Sequence, residues 1–374
     1  MTVTEARKQF PHTWTEMVYL NHAAVSPISF AVREGVGKYL EKRALKGIEP
    51  YPWAIKMMLE TKTLLASLIN SRPDDIAYVL NTSDGLNVLA AGINWQPGDH
   101  IILNAVEFPA NIYPFVNLRR RGVEVEIITS EDDLVTPEQI KRAIRPSTKL
   151  VSVSSVQFLT GQKLDVNAIG KICRDANILF AVDAIQALPH APVDVVADNI
   201  DFLSCGSHKW LMSPEGTAFI YAGERALSRI DQAHLGWTSV TNPFDFSAID
   251  PTRLRPDAGR FENGTLNYVG MSGLKASLEF FNAFGLEKIT QNVLQHSGYL
   301  IDRLSSHGIK VLTPKDEAMR AGIVTFEMEN AEAVHERLLK QEVVISIRSG
   351  KLRVAPHFYN TEEELRKFMI ALID

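Results

Sequence analysis

The sequence predicts an α/β protein: an open, mainly parallel sheet of seven strands flanked by helices, followed by a smaller α+β domain. Two observations carry this reading. From about residue 53 to residue 223, short β-rich runs alternate with amphipathic stretches, and several runs are apolar on both faces, as strands buried between helix layers are. Beyond residue 223 the alternation stops. A loop-rich stretch, WTSVTNPFDFSAIDPTRLRPDAGRFENGT, gives way to helices and then to further β-rich runs.

The elements follow in chain order. The helix PWAIKMMLETKTLLASLIN precedes a strand over 75–81 (DIAYVLN), which leads through a turn into the helix GLNVLAAGI. Strands over 100–106 (HIILNAV) and 124–129 (EVEIIT) enclose the helix ANIYPFVNLRRRG. TPEQIKRAI is a helix before the strand 149–157 (KLVSVSSVQ), and DVNAIGKICRDAN one before the strand 178–185 (ILFAVDAI). Runs over 200–207 (IDFLSCGS) and 217–223 (TAFIYAG) complete the sheet. In the second domain GIVTFEM and VVISIRSGKLRVAP are strands, and Ser349-Gly350 fits a two-residue hairpin turn. The last helix opens with a capping box, Thr361 with Glu364.

With 374 residues, 45% of them apolar and 22% charged, the chain can bury one large core and a smaller second one. A net charge of −5, with the two signs interspersed, argues against nucleic-acid or membrane-surface binding. The one basic block, Arg119-Arg120-Arg121, reads as a solvated helix face. Two cysteines, Cys173 and Cys205, make neither a disulfide framework nor a metal cluster, so no metal is expected. The start MTVTEARKQFPHTW lacks a signal-peptide core, and no apolar run approaches the ~18 residues of a membrane span. A cytoplasmic protein is expected.

The glycine fingerprint of dinucleotide sites, the P-loop, H-E-x-x-H and paired C-x-x-C are all absent, which leaves hydride and phosphoryl transfer without support. Parallel sheets place ligands at the carboxyl ends of their strands. There the sequence sets Asp183, within an apolar run, and later Lys209, in SHKW. A buried aspartate needs a partner for its charge, and a pyridinium nitrogen is one. Pyridoxal phosphate takes a lysine for its Schiff base and an aspartate at its ring nitrogen, so the two residues together fit that cofactor. Read singly, Asp183 caps the following helix and Lys209 is a surface lysine. A phosphate belongs at a helix N-terminus, which the turn Asn81-Thr82-Ser83-Asp84-Gly85 supplies, although an ordinary N-cap explains it equally. Phe108, closing the neighbouring strand, could stack on the pyridine ring or sit in the core.

Taken in order, YLNHAAVSP, NTSDGLN, EFPAN, VDAIQ, SHKW, RFENGT and LRVAPHFYNTEEEL resemble the class V aminotransferase group of fold-type I pyridoxal-phosphate enzymes over nearly the whole chain. That group includes cysteine desulfurases, cysteine/cystine lyases, kynureninase and isopenicillin N epimerase. The resemblance implies pyridoxal 5'-phosphate as cofactor, with Lys209 the Schiff-base lysine, Asp183 at the pyridine nitrogen and Gln186 donating to the ring's phenolic oxygen. Thr82, Ser83 and His208 would hold the phosphate. Thr265 matches a position that reaches the phosphate of a neighbouring subunit, which implies a homodimer with shared sites. Arg353 would grip the carboxylate of an amino-acid substrate. Asn21 and His22 would line the substrate pocket, His22 equally suiting a satisfied loop histidine. The domains implied are residues 16–265, binding the cofactor, and residues 1–15 with 266–374, forming the small domain.

Departures narrow the reaction. The stretch VVISIRSGKLR holds no cysteine where desulfurases carry their nucleophile, and Phe108 stands where they stack a histidine, so persulfide chemistry is not expected. Gln157 stands where relatives place an asparagine near the ring oxygen. The position of a phosphate-binding serine falls on Gly206, leaving Ser207 one residue on as a cofactor contact. The expectation is an enzyme acting on an α-amino acid through a quinonoid intermediate, as an aminotransferase or a cysteine-type C–S lyase. Amino-acid epimerisation and a non-catalytic amino-acid-binding relative are the alternatives.

Overall fold

The computed structural model describes residues 1–374 except 46, 50, 130, 131, 248 and 374. Twelve strands occur among the described residues: β1 Val18–Tyr19, β2 Ile76–Val79, β3 His100–Asn104, β4 Glu124–Ile128, β5 Thr148–Ser154, β6 Leu179–Asp183, β7 Phe202–Gly206, β8 Ala218–Ala222, β9 Val324–Phe326, β10 Val343–Val344, β11 Ser346–Arg348 and β12 Lys351–Val354. Seven of them form one sheet in the order β2-β8-β7-β6-β5-β3-β4. The pairs from β4 across to β7 are parallel, and β8 alone runs against its neighbours on both sides. The expected mainly parallel seven-stranded sheet is therefore present, within a fold-type I architecture. Strands β3 and β6 to β8 are buried throughout, as the unbroken apolar runs require.

Each strand ends sooner than its apolar run. The run to residue 185 stops pairing at Asp183, and the run to 207 stops at Gly206. Of the residues left over, Ile185 leaves the sheet and lines the space above it, so hydrophobicity and strand pairing part company there. The stretch 110–122 also departs from expectation. Pro109 and Pro114 lack an N–H, and the chain makes a 3₁₀ turn at Pro109–Asn111, one α-turn at Tyr113–Val116 and a 3₁₀ turn at Asn117–Arg121. Gly122, at φ 80°, closes it, so the exposed arginine triplet sits on a 3₁₀ turn rather than a helix face.

Strands β11, β12 and β9 form a second, antiparallel sheet. The hairpin has the expected two-residue turn, Ser349 and Gly350 both lying at positive φ as a type I′ turn demands. Thr361 and Glu364 exchange their capping bonds at the start of the helix Glu362–Ile373. Two segments cross the expected domain boundaries. Val18 and Leu20 pack into the core of the second sheet, with β1 paired to β10. The helix Tyr268–Phe284 contributes Met271, Leu274, Leu278 and Phe281 to the main core.

Candidate active site

Four parallel strands release their chains at one edge of the main sheet. Strand β6 delivers Asp183 and then Gln186, β7 delivers Ser207, His208 and Lys209, β3 leads to Phe108, and β5 leads to Gln157 and Phe158. Above them lies a cavity of about 320 Å³ lined by Thr82, Ser83, Phe108, Phe158, Asp183, Gln186, His208 and Lys209 from the main sheet, and by Arg348 and Arg353 from the second.

Asp183 is buried. Its Oδ1 accepts the Ile185 backbone N–H at 2.9 Å, while Oδ2 is buried with no partner. Burial pushes its pKa up, the Ile185 N–H opposes that, nearby Glu107 adds to it and Lys209 opposes it. Burial also pushes the Lys209 ammonium down, against the pull of Asp183 and with the help of Arg353 and Arg348, so its amine is a usable base near neutrality. The Lys209 Nζ lies 5.3 Å from the centroid of the Phe108 ring, which packs edge-to-face on Phe158. Arg353, also buried, donates through Nε to Ser346 Oγ at 3.2 Å and through Nη1 to the Phe158 carbonyl at 2.9 Å. Its Nη2 is buried and unpartnered, and no carboxylate among the described residues pairs with it. Such a guanidinium is poised for a ligand carboxylate.

The helix Thr82–Gly92 starts three residues earlier than the sequence suggests, because Asn81 caps it by accepting the Asp84 N–H at 2.9 Å. Thr82 and Ser83 thereby occupy its first turn, where backbone N–H groups have no intrahelical acceptor. Thr82 Oγ1 accepts the Gly206 N–H at 3.0 Å. A Cβ at residue 206 would lie 2.9 Å from Ile185 Cδ1 and 3.1 Å from Thr82 Oγ1, so the missing side chain lets the ends of the helix and β7 meet.

Several expected site residues are not brought to this cavity. Ser207 turns its hydroxyl into the fold and donates to the Thr217 carbonyl at 2.5 Å, so it faces away from the cofactor position. His22 is buried with both ring nitrogens used, Nδ1 on the Ala355 carbonyl at 2.8 Å and Nε2 on the Tyr359 hydroxyl at 2.7 Å. It is a structural histidine joining the N-terminal segment to the second sheet. Asn21 bridges Ala355 and stays off the lining, which its neighbours Ala23 and Ala24 reach instead. Gln157 donates to Glu107 at 2.9 Å and is not on the lining. Thr265 is exposed and lines a separate cavity with Leu80, Gly216 and Asn267.

Three residues were not singled out by sequence. Arg348 could have been: across a two-residue turn Arg348 pairs with Lys351 and Ser346 with Arg353, so both arginines share one face of the hairpin. Phe158, whose carbonyl holds Arg353, has no such signal. Glu107 accepts bonds from Asn104, Asn111, Ser154 and Gln157, a set scattered over the chain that only the fold assembles.

The donor set fits pyridoxal phosphate. The bare Oδ2 of Asp183 is the acceptor a pyridinium N–H needs, Lys209 supplies the amine, Phe108 offers a flat apolar face, and the first turn at Thr82 and Ser83 suits the phosphate. Among the described residues no group of His, Cys, Asp or Glu is placed to hold a metal ion, and no helix is long and apolar enough to cross a membrane.

Known proteins resemble this chain over nearly its whole length. A probable cysteine desulfurase of Methanothermobacter thermautotrophicus is 29% identical, covering 98% of this chain and 96% of its own. An uncharacterised aminotransferase of Bacillus subtilis is 28% identical over 96% of this chain and 94% of its own. Among solved structures, the apo cysteine desulfurase of Thermococcus onnurineus superposes with a TM-score of 0.90 at 24% identity, covering 100% of this chain and 98% of its own. A mutant of C-DES with glycine covalently linked to its pyridoxal phosphate cofactor gives a TM-score of 0.91 at 23% identity, covering 98% of this chain and 99% of its own. These likenesses show the fold. The family profile of the pyridoxal-phosphate enzymes called Aminotransferase class-V matches residues 18–369. The chain belongs to the class V aminotransferase family.

Proposed function

We propose that this protein is a pyridoxal-phosphate enzyme acting on an α-amino acid, as an aminotransferase or a cysteine-type C–S lyase. The observation that carries the reading is the bare, buried Oδ2 of Asp183 facing the same cavity as the Lys209 amine and the unpaired Arg353 guanidinium. When bound, the cofactor supplies an electron sink for the carbanion formed at the substrate's Cα. Asp183 keeps a proton on the ring nitrogen. Lys209 carries the cofactor between turnovers, and its amine, with its pKa lowered by burial, takes the Cα proton and returns it. Arg353 holds the substrate carboxylate through its unbonded Nη2, while Thr82, Ser83 and His208 hold the cofactor phosphate. Gln186 donates to the phenolic oxygen and Phe108 covers the ring.

We infer that desulfurase chemistry is not the reaction, and the placement of the cysteines supports that reading. Cys173 and Cys205, the chain's two cysteines, are buried, neither borders the cavity, and burial raises both thiol pKa values. Epimerisation would need a second base across from Lys209. The titratable groups on the lining are Asp183, His208, Lys209, Arg348 and Arg353, and in this reading each already has another role or is a cation. We also infer a homodimer in which Thr265, exposed and outside this cavity, reaches the partner's cofactor phosphate.

Purified protein is expected to be yellow, to lose that colour on borohydride reduction, and to carry the reduced cofactor on the peptide containing Lys209. Trapping at another lysine, or persistence of trapping in K209A, would overturn the assignment. A screen of amino acids following pyruvate, sulfide and keto acids separately then distinguishes lyase from transaminase.

A further inference from the structure

Beside the reactive lysine stands Trp210, a large side chain that is fully buried yet bonds directly to a cavity-lining residue. Its indole Nε1 donates to Gln186 Oε1 at 2.8 Å, and Gln186 Nε2 donates to the Ala23 carbonyl at 3.0 Å. An indole N–H can only donate and a carbonyl can only accept. The two flanks therefore demand the same orientation of the amide, with oxygen toward Trp210 and nitrogen toward Ala23. A side-chain amide has two N–H groups, so the second is left for the cavity that Gln186 lines.

The indole is itself immobilised. Phe358 N–H donates to His357 Nδ1, so the His357 proton sits on Nε2, which donates to the Trp210 carbonyl at 3.0 Å. The His190 ring packs on the indole with centroids 3.9 Å apart. On the far edge, a Cβ at Gly322 would lie 2.4 Å from Trp210 Cη2, so the ring fills a slot that glycine alone leaves open.

We propose that Trp210 is a positioning residue: with the Ala23 carbonyl it clamps the Gln186 amide so that an N–H, and not the carbonyl, meets the phenolic oxygen of pyridoxal phosphate. The proposal rests on the cofactor reading above and adds to it the group that decides which face of Gln186 the cofactor meets. A donor at that oxygen favours its anionic form. Losing the donor makes the linkage between Lys209 and the cofactor hold its proton to higher pH.

The test is the pH midpoint of the absorbance change of the holoenzyme, measured for wild type, W210F, Q186A and the double variant, without substrate. Q186A is expected to move the midpoint upward by about one pH unit. W210F is expected to move it in the same direction by less, and the double variant to move it no further than Q186A. Should W210F fold poorly, W210M serves, since it also fills the slot without a donor. A wild-type midpoint in the Trp210 variant with a shifted Q186A would overturn the proposal. So would unchanged midpoints in both while cofactor stays on Lys209. Wild-type protein with no trappable cofactor would instead defeat the underlying cofactor reading, and the proposal with it.

Discussion

Asp183 closes β6 with one oxygen bonded to the Ile185 N–H and the other bare, inside a wall that also holds Glu107. Burial and the Glu107 charge both make this carboxyl hold its proton more tightly, and a cationic ring nitrogen relieves both effects. Replacing it by asparagine keeps the shape and removes the charge. D183N is expected to retain cofactor on Lys209 while turnover falls by about 100-fold or more, because the ring nitrogen loses its proton. Single-turnover absorbance measurements on the borohydride-trappable enzyme check both halves. That Asp183 and Lys209 would meet where parallel strands end was legible in the sequence, because each is a polar residue in or just beyond an apolar run. Ser207 and Gln157 were misplaced for a related reason: where the chain leaves a strand, the direction of the next side chain depends on the turn, and Ser207 finds the Thr217 carbonyl before it can reach the cavity.

Elements at the β2 edge of the main sheet are tied together by a second buried charge. Lys62, on the helix Tyr51–Ile69, pairs with Glu262 at 2.8 Å, and Glu262 also accepts the Tyr78 N–H of β2 at 3.1 Å. The two side chains are almost wholly buried. Removing one partner of such a pair strands the other charge in a low dielectric. K62M is expected to lose about 3–5 kcal/mol in urea unfolding. K62M/E262Q is expected to recover part of it, and a single-variant loss below about 1 kcal/mol would show that the pair is solvated. The sequence disclosed the elements that this pair joins, but not the pair. Periodicity identifies the Lys62 helix, yet nothing local marks the residue as inward-facing, since long lysine stems ordinarily carry their charge to water. The hairpin at Ser349-Gly350 was readable to the residue because a two-residue turn fixes its own register. The run 110–122 was not, because its apolar spacing is helical while Pro114 within it and Pro109 just before it break the hydrogen-bond ladder.

Across the whole molecule, the junction between the two sheets is built on neutral imidazoles. His22, His190 and His357 are fully buried around Trp210 and Tyr359, and burial pushes His190 and His357 down to about 3 from the usual 6.5, His22 moving the same way. The unfolded chain binds protons at these sites below about 6.5 and the folded chain does not, so stability is full above that pH and is lost as pH falls toward 3. At pH 5 His190 and His357 are each expected to cost about 2 kcal/mol. Urea midpoints at pH 7.5, 6 and 5 should fall steadily, while H357Q flattens the dependence; a flat wild-type profile would contradict it. Layer order and the seven strands were legible because alternation of strand and helix leaves few topologies. The packing of β1 against β10 was not, because a short pair between the chain's two ends has no local signature.

The Arg353 guanidinium carries a mechanical load as well as a charge. It is rooted in β12 of the second sheet and bonded to the Phe158 carbonyl, which extends from β5 of the main sheet, so one side chain rivets the two bodies at the rim of the cleft. The Nη2 left unbonded beside that joint is where the proposed function would seat a substrate carboxylate. Loss of that one side chain is therefore expected to loosen the joint between the sheets and to empty the rim of the cavity at a stroke.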